Sequence, residues 1–309
     1  MFKSGYVAIV GRPNVGKSTL LNAFLGQKIA VVTSKPQTTR HRILGIKNLP
    51  GAQFLFLDTP GIHKPHKSLN AYMMDVAHAA LDDADVFLFL IEPSSHLRTE
   101  DREIFQMITF KKKPIIVAIN KVDGADHTML LPFTDQCAHE LKPAVIIPIS
   151  ALHGKGISDI ESEIIKRLPE GPAYYPEDQV TDQTERFLAC EIIREKIMEL
   201  TREEIPYSVA VIIEAFEEPP SPGLRPPSPG MGEGKKSITR IRASIICEKD
   251  SQKGILIGKG GLMLKNIGSR ARKDLEEQLG TQVYLELFVR VEKEWTKDTK
   301  KVKEFSYEN

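Results

Sequence analysis

Five short apolar runs punctuate the first half of the chain: Tyr6 to Val10, Phe54 to Leu57, Val86 to Ile91, Ile115 to Ile119 and Val145 to Ile149. They are rich in Val, Ile, Leu and Phe and barely alternate with polar residues, the pattern of strands buried on both faces. Helical periodicities lie between them, so the order predicts an α/β unit built on a mostly parallel sheet. Gly171 to Thr181 carries Pro172 and Pro176 and little apolar content beyond two tyrosines, and reads as a linker.

The second half has another rhythm. Glu185 to Glu203 places Leu188, Ile192, Ile193, Ile197 and Leu200 at helical spacing, and Tyr207 to Phe216 and Ser237 to Glu248 are β-branched strand patterns. Gly254 to Gly280 is helical around a glycine cluster, and Gln282 to Val291 is a further strand. The order helix, strand, strand, helix, helix, strand predicts a smaller α+β unit. The expected division is therefore 1–172, a linker over 173–184, a second domain over 185–292 and a tail over 293–309. Between the second domain's first two strands, residues 217–236 contain the pentapeptide PPSPG twice. Such a segment cannot join a ladder or fill a core, and reads as a surface insertion.

Composition refines this only slightly. A length of 309 residues suits two cores, and 41% hydrophobic with 27% charged residues is ordinary for a folded soluble protein. The run Val86 to Ile91 falls far short of the roughly 20 residues of a membrane span. The N-terminus enters a strand directly, without the pattern of an export signal, so a cytoplasmic protein is expected. Cys137, Cys190 and Cys247 show no CxxC spacing and support neither a disulfide framework nor a zinc site. The net charge of +1 hides an asymmetry: Lys235 to Lys273 holds eleven Lys or Arg against Glu248 and Asp250. A local field of that sign suits a polyanion.

The chemistry begins at Gly11-Arg12-Pro13-Asn14-Val15-Gly16-Lys17-Ser18, which fits GxxxxGK[ST] and leads through Thr19 into a helical run. After a strand, this spacing directs backbone N–H groups and a helix N-terminus at phosphate oxygens. Lys17 adds charge near the β and γ phosphates, and the Ser18 hydroxyl can ligate magnesium. Asp58-Thr59-Pro60-Gly61 follows a second strand. Asp58 can hold magnesium through water, and the Gly61 N–H can sense the γ phosphate. Asn120-Lys121-Val122-Asp123 follows a third. The Asp123 carboxylate can accept both guanine donors, whereas adenine offers an acceptor at N1. Ser150-Ala151 closes the next strand, with the Ala151 N–H available to the guanine oxygen. In the polar stretch before Asp58, Gln37-Thr38-Thr39-Arg40 suits a switch loop. Thr39 is the chosen second hydroxyl on magnesium, with Thr38 as the alternative.

These four elements, each at a strand end, resemble the guanine-nucleotide signature of the Ras-like P-loop GTPases. In that group the residue after DxxG is often a glutamine that orients water. Here it is Ile62, followed by His63. Asn14 in the loop and an apolar residue after DxxG resemble GTPases that use potassium in place of an arginine finger. The catalytic set expected is Asn14, Lys17, Thr39 and Gly61, with slow hydrolysis stimulated by potassium or a partner.

In the second unit Gly258-Lys259-Gly260-Gly261 satisfies GxxG before a helical run. The glycines allow close approach of a sugar-phosphate chain. Arg240, Arg242, Lys265, Arg270, Arg272 and Lys273 are expected to track its phosphates. The element order matches the type II KH fold. A Ras-like domain followed by a KH domain, carrying GRPNVGKSTLLN, QTTRHRI, DTPGIH, NKVD, SAL and GILIGKGG, resembles the bacterial Era GTPases over nearly the whole chain. The resemblance implies a cytoplasmic protein, in some members associated peripherally with the inner face of the membrane, acting as a monomer. It further implies magnesium as cofactor and GTP or GDP, the small ribosomal subunit and the 3′ end of its RNA as partners. The alternative is a GTP-binding module whose KH-like domain serves protein or membrane contacts.

Overall fold

A computed structural model describes residues 1–33, 35, 38–61, 68–218 and 238–305, without the side chain of His127. Gln37, Ile62, His63 and nearly all of the Pro-rich insertion lie outside the described residues. The chain divides into two compact units, Met1–Gln183 and Thr184–Asn309.

The first unit is a six-stranded sheet in the order β2-β3-β1-β4-β5-β6. Its strands are β1 (Lys3–Val10), β2 (Ile43–Leu49), β3 (Ala52–Asp58), β4 (Val86–Ile91), β5 (Ile115–Ile119) and β6 (Val145–Pro148). All neighbours pair in parallel except β2, which runs antiparallel to β3. The helices are α1 (Lys17–Leu25), α2 (Ser68–Asp83), α3 (Thr99–Thr109), α4 (His127–Leu141) and α5 (Ile157–Arg167). β3 and β4 are buried at every position, β4 and the Phe54–Leu57 run of β3 as their apolar sequence requires. The order reverses at β1, with β3 on one side and β4 on the other, which opens a crevice at the C-terminal ends of these strands.

β2 is absent from the five expected strands. Its sequence ILGIKNL carries a glycine and two polar residues, the composition of a strand at an edge rather than in the middle of a sheet.

The expected linker is corrected in part: much of 173–184 is strapped to this sheet. Gln53, fully buried, accepts from the Tyr174 and Tyr175 N–H groups at 2.7 and 3.1 Å and donates to the Tyr175 carbonyl at 2.8 Å. Further along, Asn48 donates to the Glu177 carbonyl, Ile46 N–H to the Val180 carbonyl, and the Thr181 hydroxyl to the Leu44 carbonyl. Proline and polar content do not make a free tether when a buried amide and an edge strand offer it partners.

The second unit contains α6 (Glu185–Leu200), β7 (Ala210–Glu217), β8 (Ile238–Cys247), α7 (Asp250–Ile257), α8 (Leu262–Leu279), β9 (Gln282–Val291) and α9 (Thr299–Phe305). Its sheet has the order β7-β8-β9, antiparallel then parallel. Ile241, Ala243 and Ile245 of β8 and Val283 and Val289 of β9 share one core with Ile193 and Ile197 of α6 and Ile267, Ala271 and Leu275 of α8. Arg240, Arg242, Tyr284 and Phe288, which alternate with those residues, point to the other face. The expected tail is also corrected. Trp295 is buried, donates from Nε1 to the Ser208 carbonyl at 2.9 Å, and meets the Phe305 ring at 5.6 Å. Residues 293–305 thus belong to the folded unit. Among the described residues, no helix is long and apolar enough to cross a membrane.

Replacing Gln53 by Leu removes the acceptor of two strap N–H groups. Urea unfolding is expected to show a loss of about 2 kcal/mol, with faster proteolysis over 173–183. An unchanged midpoint would remove Gln53 as the anchor.

Candidate functional site

The loop after β1 enters α1 through Gly16, which has φ 100° and stands where a Cβ would lie 2.3 Å from Asn120 Nδ2. At the other end of the loop, a Cβ on Gly11 would lie 2.5 Å from the Leu90 carbonyl oxygen. Only glycine fits either place. A cavity of about 530 Å³ opens above the loop, lined by Pro13, Asn14, Gly16, Lys17, Ser18 and Thr19 together with Val31 to Thr33, Thr38, Thr39, Gly61, Glu92 and Lys121.

Two buried charges underlie it, Lys17 in the lining and Asp58 behind the lining hydroxyls of Ser18 and Thr39. Lys17 donates to the carbonyls of Gly11 and Arg12 at 3.1 and 3.0 Å. Burial pushes its pKa down to about 8, the Asp58 charge acting the other way and that of Arg12 adding to the fall. Asp58, at the end of β3, is pushed up by burial, opposed by Lys17 and by hydrogen bonds from Ser18, Thr39 and Thr59. Its Oδ2 accepts from Ser18 Oγ at 2.8 Å and Thr39 Oγ1 at 3.2 Å, and the two hydroxyls are 3.0 Å apart. The other oxygen, Oδ1, is buried without a hydrogen-bond partner. Two hydroxyls and a carboxylate with an unused lone-pair face are all hard oxygen donors, and they fit magnesium with part of its water shell retained.

Thr38 is turned elsewhere. Its hydroxyl donates to the Lys35 carbonyl at 2.8 Å and lies 3.0 Å from that of Thr33. Thr59 Oγ1 donates to the Ile9 carbonyl at 3.0 Å, tying the DTPG turn to β1. A Cβ on Gly61 would lie 2.9 Å from Pro13 N, so this backbone crosses against the phosphate loop.

The base-reading side is held by Asn120, whose Nδ2 donates to the Val15 carbonyl at 2.8 Å. Its Oδ1 accepts from the Ala151 N–H at 2.9 Å. That N–H, expected to meet the guanine oxygen, braces Asn120 in this structure, since a buried side-chain carbonyl needs a donor. Lys121, at φ 66°, lies across the loop with Nζ donating to the Asn14 carbonyl at 2.7 Å and paired with Glu92. Asn14 itself has φ 65°. Asp123 is exposed, and its carboxyl is held below the usual range first by a hydrogen bond from Ser150; His153 Nε2 stands 3.7 Å from its Oδ2. Val122 donates its N–H to the Ile149 carbonyl, fixing the turn that presents Asp123. The motifs gave no sign of Glu92 beside Lys121, nor of Asp101, which takes the Arg12 side chain away from the cavity. Both partners are distant in sequence, so only the fold brings them in.

In the second unit a groove of about 600 Å³ is lined by Gly261, Leu264, Lys265, Gly268, Ser269 and Arg272 and by Leu285 and Leu287 of β9. Gly258 (φ 72°) would place a Cβ 2.7 Å from that of Met263, so the turn from α7 into α8 requires it. The expected basic surface is not one surface. Lys265 and Arg272 lie on the groove stripe of α8, while Arg270 and Lys273 are rotated round the helix from it at 100° per residue. Arg240 and Arg242 stand on the opposite sheet face, beside Tyr284 and Glu286, and Arg242 pairs with Glu286 at 3.0 Å. Strand alternation separates residues that sequence counting had grouped.

Fold and site together define a P-loop guanine-nucleotide-binding protein with a KH domain. Family models agree: residues 6–121 match the 50S ribosome-binding GTPase family and residues 204–296 the KH domain. The chain is 49% identical to GTPase Era of Syntrophus aciditrophicus over 307 residues, 99% of this chain and 96% of the relative. It is 47% identical to GTPase Era of Geotalea uraniireducens, over 99% and 98%. A crystal structure of an Aquifex aeolicus Era variant bound to GDP.AlF4- superposes with a TM-score of 0.90 at 44% identity, covering 99% of each chain. Another, of Era with MgGDPNP and nucleotides 1506–1542 of 16S ribosomal RNA, also gives 0.90, at 45% identity and the same coverage. The chain belongs to the GTPase Era family.

Asp123→Asn places an amide donor where guanine needs an acceptor. GTP affinity is expected to fall at least about a hundredfold, and a xanthine nucleotide, with a carbonyl in place of the amine, to bind better than GTP. Fluorescence titration with both nucleotides checks this, and an undiminished preference for guanine would contradict the role of Asp123.

Proposed function

We propose that this protein hydrolyses GTP with magnesium in the cavity above β1 and β3. Its nucleotide state then controls how the KH unit grips the 3′ end of small-subunit ribosomal RNA during subunit maturation. The observation that carries the reading is the convergence of the Ser18 and Thr39 hydroxyls on one Asp58 oxygen, the other being buried without a partner, beside the buried ammonium of Lys17. The relative solved with MgGDPNP and 16S ribosomal RNA supports both the metal and the RNA. The reading takes the protein as a cytoplasmic monomer.

Each residue has a role in it. Ser18 and Thr39 would ligate magnesium directly and Asp58 through water, the ion serving to offset charge on the transferring phosphoryl group. Thr39 is preferred because its hydroxyl reaches Asp58, whereas that of Thr38 is occupied within its own loop. Lys17 places a point charge at the β and γ phosphates, the Gly61 N–H meets the γ phosphate, and Asp123 selects guanine. Among the described residues no arginine lines the cavity. A monovalent cation held by Asn14 would supply the missing charge. In the KH groove, Gly258 to Gly261 admit a sugar-phosphate chain, Lys265 and Arg272 neutralise it, and Leu264, Leu285 and Leu287 take the base faces.

Phosphate release measured in potassium and in sodium should differ by about tenfold or more, and Asn14→Ala should abolish the difference. Equal rates in both salts would remove potassium from the mechanism. Gly258→Asp, which forces a carboxylate against Met263 and the phosphate path, should weaken binding of a 3′-terminal 16S RNA oligonucleotide by at least about tenfold, with GTP turnover without RNA unchanged. Undiminished RNA binding in filter assays would point instead to a KH unit that contacts protein.

A further inference from the structure

The phosphate-loop pattern leaves Arg12 unspecified, and a side chain in such a position would ordinarily extend into solvent. Here it does the opposite. The Arg12 side chain is only 13% exposed, absent from the residues that line the nucleotide cavity, and directed to α3, where Nε donates to Asp101 Oδ1 at 2.8 Å. Asp101 is 2% exposed and sits in the first turn of α3, a place that favours a carboxylate. α3 is itself fixed in the core by Ile104, Phe105 and Ile108. Arg12 is thus tied to a rigid platform 89 residues away.

Stability does not account for this pair. Burying two charges costs desolvation that their attraction offsets only with full hydrogen bonding, and Arg12 Nη2 is buried with no acceptor at all. Burial raises the Asp101 carboxyl, opposed by the hydrogen bond and charge of Arg12 and by Arg98. What the pair does achieve is geometric. The carbonyl of Arg12 is one of the two on which the Lys17 ammonium rests. Its peptide lies between Gly11, pressed against the Leu90 carbonyl, and Pro13, pressed against Gly61. The Arg12 side chain is held as well, by Asp101.

We propose that Asp101 is a positioning residue for phosphoryl transfer, acting through Arg12 to hold the carbonyl that seats Lys17. This rests on the reading of the cavity as a GTPase centre. Lys17 is the charge that meets the transferring phosphoryl group, and small displacements of such a group are felt in rate.

The test separates geometry from stability. In the full-length protein, the double variant Arg12→Met, Asp101→Leu replaces the ion pair by apolar residues of similar length. Thermal unfolding, kcat and KM for GTP are measured beside wild type and Arg12→Lys, which keeps the charge but lacks the planar donor fork. The expected result is a double variant melting at or above the wild-type temperature with kcat at least about tenfold lower, and Arg12→Lys intermediate in kcat at an unchanged melting temperature. A double variant with kcat within twofold of wild type overturns the proposal. If the double variant does not fold, Arg12→Lys decides, and wild-type kcat in it overturns the proposal equally. Absence of hydrolysis by the wild type would instead sink the GTPase reading, leaving a different signature.

Discussion

The first unit is organised around the burial of two opposite charges, Lys17 at the start of α1 and Asp58 at the end of β3. The protein partners them unequally. Lys17 rests on two carbonyls and loses proton affinity to burial; Asp58 keeps one oxygen without a donor. The surroundings are built to tolerate this arrangement: glycines where backbone must approach, hydroxyls where the carboxylate needs donors, and an asparagine that braces two loops at once. A buried ammonium beside a carboxylate with a free oxygen suits a triphosphate and a divalent ion.

The strands buried on both faces were legible because a parallel sheet demands unbroken apolar runs, and the phosphate loop because its glycines answer a steric demand that no other residue meets. β2 was missed because its glycine, lysine and asparagine break the apolar run that β6, at the other edge, keeps. The motif residues Asp58 and Asn120 are brought into contact with the loop, and Ala151 supports Asn120. The choice between Thr38 and Thr39 is a matter of which hydroxyl a loop turns inward, and adjacent identical residues carry no sequence trace of that. Ion pairs such as Arg12 with Asp101 and Lys121 with Glu92 are set by strand order, which composition does not encode.

The second unit shows how far a charge count can mislead. A basic stretch in sequence becomes three differently facing sets once β8 alternates and α8 turns. Lys265 and Arg272 border the groove, Arg270 and Lys273 face away from it, and Arg240 and Arg242 occupy the other side of the sheet among glutamates. The groove therefore has an apolar floor with a sparse cationic border, a surface suited to bases as much as to phosphates.

The strap along β2 has a consequence for how the sheet meets other chains. A six-stranded open sheet has two edges, each a template for unwanted pairing. β6 is four residues long and ends in Pro148, which cannot donate. β2 is longer, and there the strap occupies the Ile46 N–H and the Leu44 carbonyl. A fragment ended at Leu168 would keep every nucleotide motif and yet uncover that edge, inviting self-association that the full first unit, through Gln183, is built to prevent.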